Sequence, residues 1–362
     1  MKKIALLAGA RPNFMKIAPI MREIRKRSPS TKQILIHTGQ HYDKNLSDVF
    51  FKDLGLPRPD YSLGVGSLPH GAQTGTIMIQ LEPILQKTKP DLLLVVGDIN
   101  STMAGALTAV KMGIPVIHVE AGLRSGDRTM PEEINRMVTD CISSKLLTSC
   151  RDGDKNLIRE GVNRRKIHFV GNVMIDSLKV ALPYADKSQV LQTYGLKKRD
   201  YVCVTLHRPC NVDEPRNLLE IIAGLEEAAK KTKVIFPVHP RTLKALQKSK
   251  WKPKSRNLLI TDPVGYIDFL CLLKNSAVTL TDSGGIQEET TFLGVPCLTV
   301  RPNTERPITI TEGTNRLIKS DRKSIFTNIR SVLSKPFPRK RIIKYWDGKA
   351  AGRIWKIIDS FI

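Results

Sequence analysis

The sequence predicts an α/β protein with two doubly wound domains of Rossmann type that face each other across a cleft. Short apolar runs alternate with stretches of helical periodicity, and this alternation stops once, in a polar stretch over residues 184–200. The length of 362 residues also suits two domains of ordinary size. We therefore expect domains over residues 1–175 and 176–340, and a C-terminal helix over 341–362 that packs back on the first domain.

The first half of the chain contains six apolar runs of strand length, with amphipathic stretches between them. The predicted strands are residues 4–8, 33–37, 92–96, 115–119, 145–148 and 167–170, and the predicted helices are residues 14–27, 75–87 and 102–112. Strands separated by helices form right-handed βαβ units, in which neighbouring strands run parallel. This half therefore predicts one parallel sheet covered by helices.

The second half repeats this architecture without repeating the sequence. Its predicted strands are residues 201–206, 233–237, 258–261, 277–281 and 295–300. The tail over residues 342–362 has helical periodicity and carries Trp346 and Trp355, which predicts a helix with one buried face.

Polar and ionisable residues follow or end the apolar strands in both halves. The residues in this position are Arg11, Asp98, Glu120, His207, His239 and Asp282. Open parallel sheets bind their ligands beyond the carboxyl ends of the strands, where ionisable groups with perturbed pKa values are typical. The sequence therefore predicts an active site in the cleft between the two domains.

The charge of the chain indicates an anionic ligand but not a class of partner. Lys and Arg number 58 against 34 Asp and Glu, which gives a net charge of +24. An excess of this size suits a phosphorylated ligand, or a well-solvated basic surface, because the basic residues are dispersed. The sequence lacks an RNA-binding signature, a zinc-finger spacing and a basic-zipper region, so we expect no nucleic-acid partner.

Several other classes are excluded by motif and spacing. The six cysteines show no Cys-x-x-Cys and no metal-ligand spacing, which favours a reducing cytoplasm and no metal site. No apolar run approaches membrane-spanning length, and the short N-terminal run reads as a first strand rather than a signal peptide. Neither a nicotinamide-binding glycine fingerprint nor a Walker loop follows the first strand.

Two segments are candidates for binding phosphate. Ser283, Gly284 and Gly285 follow an apolar strand and open a helix, where backbone N–H groups and the helix dipole favour an anion. Arg306 could reach the same phosphates, and Arg11 and Lys16 could contact phosphate or substrate after the first strand. The alternatives are a capped turn for the first segment and a solvated pair for Arg11 and Lys16.

The candidate acids and bases have structural alternatives of unequal weight. Asp98 could be the N-cap of the helix that starts near residue 101. Glu132 and Glu133 follow Pro131, so they could serve the dipole of a helix that starts there. Glu120 has no such alternative, because Gly122 and a loop follow it. His207 and His239 end strands at the same edge of the second sheet, which favours function for both.

These motifs together resemble the non-hydrolysing UDP-N-acetylglucosamine 2-epimerases. The matching segments are Gly97 with Asp98, residues 118–124 (HVEAGLR), 130–136 (MPEEINR), 282–289 (DSGGIQEE) and 304–307 (TERP). The resemblance runs from about residue 3 to about residue 318. It implies a glycosyltransferase-B-type fold, a homodimer, a UDP-sugar substrate, and interconversion of UDP-GlcNAc and UDP-ManNAc without any cofactor.

The resemblance also implies roles for individual residues. The catalytic acids and bases are Asp98, Glu120, Glu132 and His207, and the residues that bind UDP or substrate are Arg11, Lys16, His239, Phe269, Ser283, Gly284, Gly285, Glu289 and Arg306. The implied reaction is anti elimination of UDP to 2-acetamidoglucal followed by re-addition, because the proton at C2 of the sugar is not acidic. Such a reaction needs carboxylates at the sugar and cationic groups at the leaving phosphates.

Three positions depart from the family pattern. Cys210 stands where the family commonly has glutamate, two residues after the His-Arg pair, and Ile308 replaces a glutamate after the Thr-Glu-Arg-Pro motif. Tyr42 and Asp43 follow Gln40-His41, where allosterically controlled members carry arginine, so we expect no activation by substrate at a second site.

Other readings remain open from the sequence alone. A close variant of the reaction acts on a UDP-2,3-diacetamido uronic acid, and the same fold also hosts enzymes that hydrolyse the UDP-sugar or transfer its glycosyl group. A non-catalytic binder of sugar nucleotides is conceivable from Cys210 and Ile308, although all the candidate acids and bases are present.

Overall fold

A computed structural model of the chain describes residues 1–40, 55–249, 251–335 and 342–362, and these fall into two compact units. Unit 1 comprises Met1–Ser177 and Lys344–Ile362, and unit 2 comprises Leu178–Ile343. Residues 42 and 43, on which the expectation about allosteric activation rests, lie outside the described residues. No helix in the described part of the chain is long and apolar enough to cross a membrane.

Unit 1 contains a parallel sheet of seven strands in the order β3-β2-β1-β4-β5-β6-β7. Its strands are β1 (Lys3–Ala8), β2 (Lys32–His37), β3 (Tyr61–Ser62), β4 (Leu92–Val96), β5 (Val116–Ala121), β6 (Lys145–Thr148) and β7 (Ile167–Phe169). Its helices are α1 (Arg11–Arg27), α2 (His70–Thr88), α3 (Asn100–Lys111), α4 (Pro131–Ile142), α5 (Arg151–Arg159), α6 (Val173–Ala185), which contains the boundary between the units, and the C-terminal α15 (Ala350–Phe361).

Unit 2 contains a parallel sheet of six strands in the order β10-β9-β8-β11-β12-β13. Its strands are β8 (Tyr201–Thr205), β9 (Lys233–Pro237), β10 (Leu258–Thr261), β11 (Val278–Thr281), β12 (Cys297–Val300) and β13 (Asn315–Ile318). Its helices are α7 (Val190–Thr193), α8 (Pro209–Val212), α9 (Pro215–Ala229), α10 (Pro240–Lys248), α11 (Tyr266–Asn275), α12 (Gly284–Leu293), α13 (Ile308–Thr311) and α14 (Arg322–Leu333).

The predicted fold class is confirmed, since both units are doubly wound α/β sheets. Central strands such as β4 are buried over their whole length, which is why they read as unbroken apolar runs. In each sheet the strand order reverses once, between β1 and β4 in unit 1 and between β8 and β11 in unit 2. Such switch points leave a crevice beyond the strand ends, where ligands bind in this class of sheet.

The C-terminal helix is shorter than predicted and is held by a buried carboxylate. It begins at Ala350 rather than near residue 342, and Asp176 accepts hydrogen bonds from the backbone N–H groups of Ala350 (3.2 Å) and Ala351 (2.9 Å). Trp346 and Trp355 are both buried, as the periodicity of the tail predicts. Asp176 therefore serves as the N-terminal anchor of α15 in unit 1.

Asp176 should make the stability of the protein depend on pH. Burial raises its pKa to about 6, against 3.8 as an ordinary value, so the folded state binds this proton more tightly than the unfolded state. The stabilisation from this group is therefore complete below about pH 4 and is lost as pH rises through about 6. Between about pH 5 and about pH 7, the free energy of unfolding of wild type should fall by roughly 1 kcal/mol more than that of Asp176→Asn. Urea unfolding of both proteins at both pH values measures this, and identical pH dependence would contradict it.

Candidate active site

In unit 1, the switch point between β1 and β4 brings together basic and acidic residues. Arg11 is the first residue of α1 and is exposed, whereas Lys16, further along the same helix, is buried. Gly97, which directly follows β4, lies close to Lys16, since a Cβ atom on Gly97 would be 3.0 Å from Lys16 Nζ. A side chain at position 97 would therefore displace the lysine from the strand ends.

Glu120 lies at an irregularity of the sheet. The pairing of β5 with β6 skips this residue between Val119 and Ala121, and its φ angle is +73°. A β-bulge re-aims the side chain that it carries, and the left-handed backbone is strained for any residue except glycine. The Glu120 carboxylate forms a buried ion pair with Lys16 Nζ. In unit 1, Glu120, a candidate acid or base, is therefore paired with Lys16, a candidate contact for phosphate or substrate.

Asp98 does not cap the following helix, contrary to the structural alternative. The N-cap position of α3 is Ile99, and Asp98 instead accepts a 2.5 Å hydrogen bond from Nη1 of the buried Arg136. The arginine keeps this partly exposed carboxylate in place beside the strand ends. Asp98 is therefore available to solvent on one side and fixed on the other.

The adjacent glutamates of α4 have different environments. Glu133 is buried and accepts hydrogen bonds from the backbone N–H groups of Ser125 (3.0 Å) and Gly126 (2.9 Å) and from Arg136 Nη2 (2.6 Å). Burial opposes its ionisation, but these donors and the arginine charge outweigh burial and lower its pKa. Glu132 is only partly buried. Glu133 thus holds the loop before α4, whereas the side chain of Glu132 is partly open to solvent.

Sequence reasoning missed two buried charged residues of α4 that have different partners. Arg136 pairs with Asp98 and Glu133, whereas Asp140 pairs with His118 of β5. Charged residues on the buried face of a helix were the available signal, because charged side chains are rarely buried unless they are paired.

In unit 2, the switch point between β8 and β11 carries a histidine and an aspartate. The buried Asp282 accepts hydrogen bonds from the backbone N–H of Arg208 (2.9 Å) and from Asn211 Nδ2 (3.0 Å), and it lies 3.2 Å from His207 Nδ1. Burial and nearby arginines lower the pKa of His207, although Asp282 opposes this. The imidazole is therefore mainly neutral at neutral pH, and its orientation is set by Asp282, which the sequence placed among the strand-end residues without a role of its own.

His239 lies beside His207, with ring centroids 6.0 Å apart. It also has a local structural role, because its Nδ1 accepts a 3.2 Å hydrogen bond from the backbone N–H of Arg241 as the N-cap of α10. The two histidines predicted at the same sheet edge are thus neighbours, and one of them caps a helix as well.

The start of α12 has the open backbone that an anion requires. Ser283 occupies the N-cap position but makes no side-chain capping bond, and the first turn contains no acidic residue. A Cβ atom on Gly284 would lie 2.6 Å from Arg306 Nη1, whereas one on Gly285 would meet no atom within 4 Å. Gly284 therefore lets Arg306 approach the helix start, and Gly285 leaves that side of the turn open.

Arg306 is held by two buried carboxylates. Its Nε lies 2.9 Å from Glu288, and its Nη1 donates a 2.5 Å hydrogen bond to Glu305. Burial opposes the ionisation of Glu305, but Arg306 and Arg301 outweigh it and hold the pKa of Glu305 well below its usual range. The guanidinium therefore keeps one position beside the start of α12.

The two remaining predicted contacts lie on neighbouring helices. Glu289 of α12 is buried, and its Oε1 accepts a 3.1 Å hydrogen bond from the hydroxyl of Tyr266 in α11. Phe269 lies one turn further along α11 and is half-buried. Tyr266 was not predicted, and it fixes a carboxylate that the resemblance assigns to binding UDP or substrate.

The two departures in unit 2 differ in burial. Cys210 is exposed in α8, and Ile308 is buried at the start of α13.

An exposed site accepts a charge, so Cys210→Glu should fold with a stability within about 0.5 kcal/mol of wild type and should change kcat, since it restores the family's carboxylate near His207. Urea unfolding and steady-state kinetics test this. Cys203→Glu, at a fully buried cysteine of β8, is the matched control and should not fold. Unfolding of Cys210→Glu would contradict the assignment.

Two doubly wound units, one with acids and a lysine at its switch point and the other with an open helix start beside an arginine, are the arrangement of an α/β enzyme that acts on an anionic ligand. The chain belongs to the UDP-N-acetylglucosamine 2-epimerase family, whose sequence model matches residues 22–359. Members of this family are sugar-nucleotide epimerases, which are isomerases, so the predicted resemblance and enzyme class are confirmed.

Relatives cover the chain along its whole length. It is 45% identical, over 99% of both sequences, to a UDP-N-acetylglucosamine 2-epimerase homolog of Methanococcus maripaludis. It is 40% identical, over 97% of this chain and 98% of the relative, to the UDP-2,3-diacetamido-2,3-dideoxy-D-glucuronate 2-epimerase of Pseudomonas aeruginosa. It matches the crystal structure of Methanocaldococcus jannaschii UDP-GlcNAc 2-epimerase in complex with UDP-GlcNAc and UDP with a TM-score of 0.90, at 41% identity over 99% of both chains. The glycosyltransferase-B-like fold is thereby confirmed.

Proposed function

We propose that the protein interconverts UDP-GlcNAc and UDP-ManNAc as a non-hydrolysing 2-epimerase. The observation that carries this proposal is the convergence of Glu120 and Lys16 beside Gly97 and Asp98 in unit 1. Simple binding of a nucleotide sugar needs no such group of acids. Membership of the family supports the same activity.

The proposed reaction combines proton transfer at C2 of the sugar with departure and return of UDP at C1. A carboxylate takes the proton from C2, the C2–H electron pair forms the C1=C2 double bond, and the C1–O pair leaves with UDP. A second acid then protonates C2 on the opposite face, and a phosphate oxygen of UDP reattaches to C1. We assign the proton transfers to Glu120, Glu132 and Asp98, with the neutral His207 as a hydrogen-bonding partner or base.

The leaving phosphates need positive charge and N–H donors. We assign these to the backbone at Ser283, Gly284 and Gly285, and to Arg306, because a helix start beside a fixed guanidinium favours an anion. Arg11, Lys16 and His239 complete the proposed substrate contacts, and Glu289 binds the ribose.

Product analysis in deuterated water tests the proposal. Wild type incubated with UDP-GlcNAc should form UDP-ManNAc that carries deuterium at C2, together with a trace of 2-acetamidoglucal and free UDP. Epimerisation without deuterium uptake would contradict elimination. Irreversible release of UDP without UDP-ManNAc would instead indicate the hydrolytic alternative.

A second candidate substrate is a UDP-2,3-diacetamido uronic acid. The Pseudomonas aeruginosa relative, at 40% identity over nearly the whole chain, favours this candidate. The two sugars differ at C3 and at C5, so kcat/KM measured with each UDP-sugar under the same conditions separates them.

Phe269→Ala should raise KM about fivefold and leave kcat nearly unchanged. A ring at this position in α11 could stack on the uracil, and lost stacking weakens ground state and transition state alike by roughly 1 kcal/mol. Steady-state kinetics and UDP titration measure the two effects. A fall in kcat with unchanged UDP affinity would count against this role.

We further propose a homodimer in the cytoplasm without a nucleic-acid partner. The support is the family resemblance, the dispersed basic residues, and six cysteines that are all present as thiols. Light scattering of the purified protein tests the dimer.

A further inference from the structure

Helix α4 carries three charged residues that are almost completely buried. Glu133, Arg136 and Asp140 are each at most 2% exposed. Their spacings of three and four residues place them on one face of the helix. Glu133 and Arg136 hold the loop before α4 and Asp98, as described above, whereas Asp140 faces a different part of the site.

Asp140 contacts the chain on both sides of Glu120. Its Oδ1 lies 2.7 Å from His118 Nδ1, and its Oδ2 accepts a 3.0 Å hydrogen bond from the backbone N–H of Gly122 and lies 2.8 Å from Arg124 Nη1. His118 and Gly122 are the residues two before and two after Glu120. The carboxylate of Asp140 therefore contacts residues on both sides of the bulge.

Residues 118–122 also hold the loop that carries Asp98. His118 Nε2 lies 2.8 Å from the carbonyl oxygen of Gly97, so the imidazole joins Asp140 to the end of β4. Gly122 has a φ of +79°, and a Cβ atom there would lie 2.5 Å from the carbonyl oxygen of Gly153. This packing leaves the backbone of residues 118–122 little freedom.

A left-handed glutamate persists only where its surroundings determine the backbone. The sheet does not do so at Glu120, because the ladder to β6 skips this residue. Asp140 contacts the chain on both sides of the bulge, through the His118 side chain and the Gly122 backbone N–H, and Asn156 Nδ2 donates a 2.9 Å hydrogen bond to the Gly122 carbonyl. Burial opposes the ionisation of Asp140, but His118 and Arg124 outweigh it and lower its pKa, so the carboxylate is present at neutral pH.

We propose that Asp140 is a positioning residue, which through Gly122 and His118 holds the bulge in β5 and thereby aims the Glu120 carboxylate without touching substrate. This inference rests on the proposed function, in which Glu120 transfers a proton. It extends that function by one residue that the sequence motifs did not single out.

A double-mutant cycle tests whether Asp140 acts through Glu120. Asp140→Asn alone should lower kcat by about 10- to 100-fold, the scale of a catalytic group displaced by about 1 Å, and should leave the Kd for UDP within about twofold. In the Glu120→Gln background, Asp140→Asn should lower kcat by less than about twofold, because the carboxylate that Asp140 positions is already absent. Losses that multiply in the double variant would overturn the proposal.

A second readout separates positioning from loss of folded protein. The ratio of released 2-acetamidoglucal to epimer is fixed within each turnover, so it should rise in Asp140→Asn and should not depend on the folded fraction. Asp176→Asn is the matched control, since it alters another buried carboxylate of unit 1, which binds the backbone of α15. Its ratio and kcat should equal those of wild type.

Two further outcomes keep the test decisive. If Asp140→Asn does not fold, His118→Gln takes its place in the cycle, since it removes one of the two contacts and leaves the bond to Gly122. A crystal structure of the variant in which φ of Glu120 stays near +73° would overturn the positioning role whatever the reaction is. Failure of the proposed function is recognised separately, by the absence of UDP-ManNAc from wild type.

Discussion

Glu120→Gln is expected to lower kcat by about 100-fold or more, the scale for loss of a catalytic acid or base, with little change in UDP affinity. Glutamine keeps the shape of the side chain at the bulge but cannot accept or return a proton. The phosphate site assigned to unit 2 does not involve this residue, so UDP should bind as before. Steady-state kinetics and UDP titration measure the two quantities.

The same variant should also be destabilised, because it leaves Lys16 buried without its partner. Removing one member of a buried ion pair costs about 3–5 kcal/mol, whereas removing both charges costs much less. The double variant Lys16→Met with Glu120→Gln should therefore recover most of the free energy of unfolding while its activity stays low. Recovery of activity along with stability would show that Glu120 acts only by supporting the fold.

The sequence predicted the fold from its buried strands. The bounds predicted for β4, β6, β9 and β10 coincide with those in the structure, because each contains consecutive apolar residues and directly follows a polar residue. The strands β3 and β13 were not predicted. The first has only two residues, and the second, Asn315–Ile318, has two polar residues followed by two apolar ones, a pattern too short to be distinguished from a loop.

The candidate site could be predicted as far as it depends on strand ends. Polar residues after apolar runs identified Asp98 and His207, and the switch points of the two sheets bring residues of this kind together. Asp140 could not be found in this way, because it lies inside a helix and its partners are 16 to 22 residues away along the chain. The bulge at Glu120 was hidden for a related reason. A predicted strand that ends at residue 119 contains no information about its register with β6.

Glu132→Gln and its neighbour Glu133→Gln are expected to fail in opposite ways. Glu132→Gln should lose about 100-fold or more in kcat with nearly unchanged stability, since its side chain is partly exposed and is one of those to which we assign proton transfer. Glu133→Gln should lose stability, because its carboxylate accepts bonds from Ser125 and Gly126 and balances Arg136. The loss should reach about 1–3 kcal/mol, the scale for removing one charged hydrogen-bond acceptor from a buried group.

Both variants start from the same chemical change at adjacent positions, so each is the control for the other. Urea unfolding gives the stability of each protein, and kcat is compared per folded molecule. Deuterium uptake at C2 adds a third measurement, because loss of one of two proton-transferring groups should slow exchange of this proton as well as epimerisation. Near-normal kcat in Glu132→Gln would assign that carboxylate to the dipole of α4, where its place in the first turn after Pro131 would be its whole function.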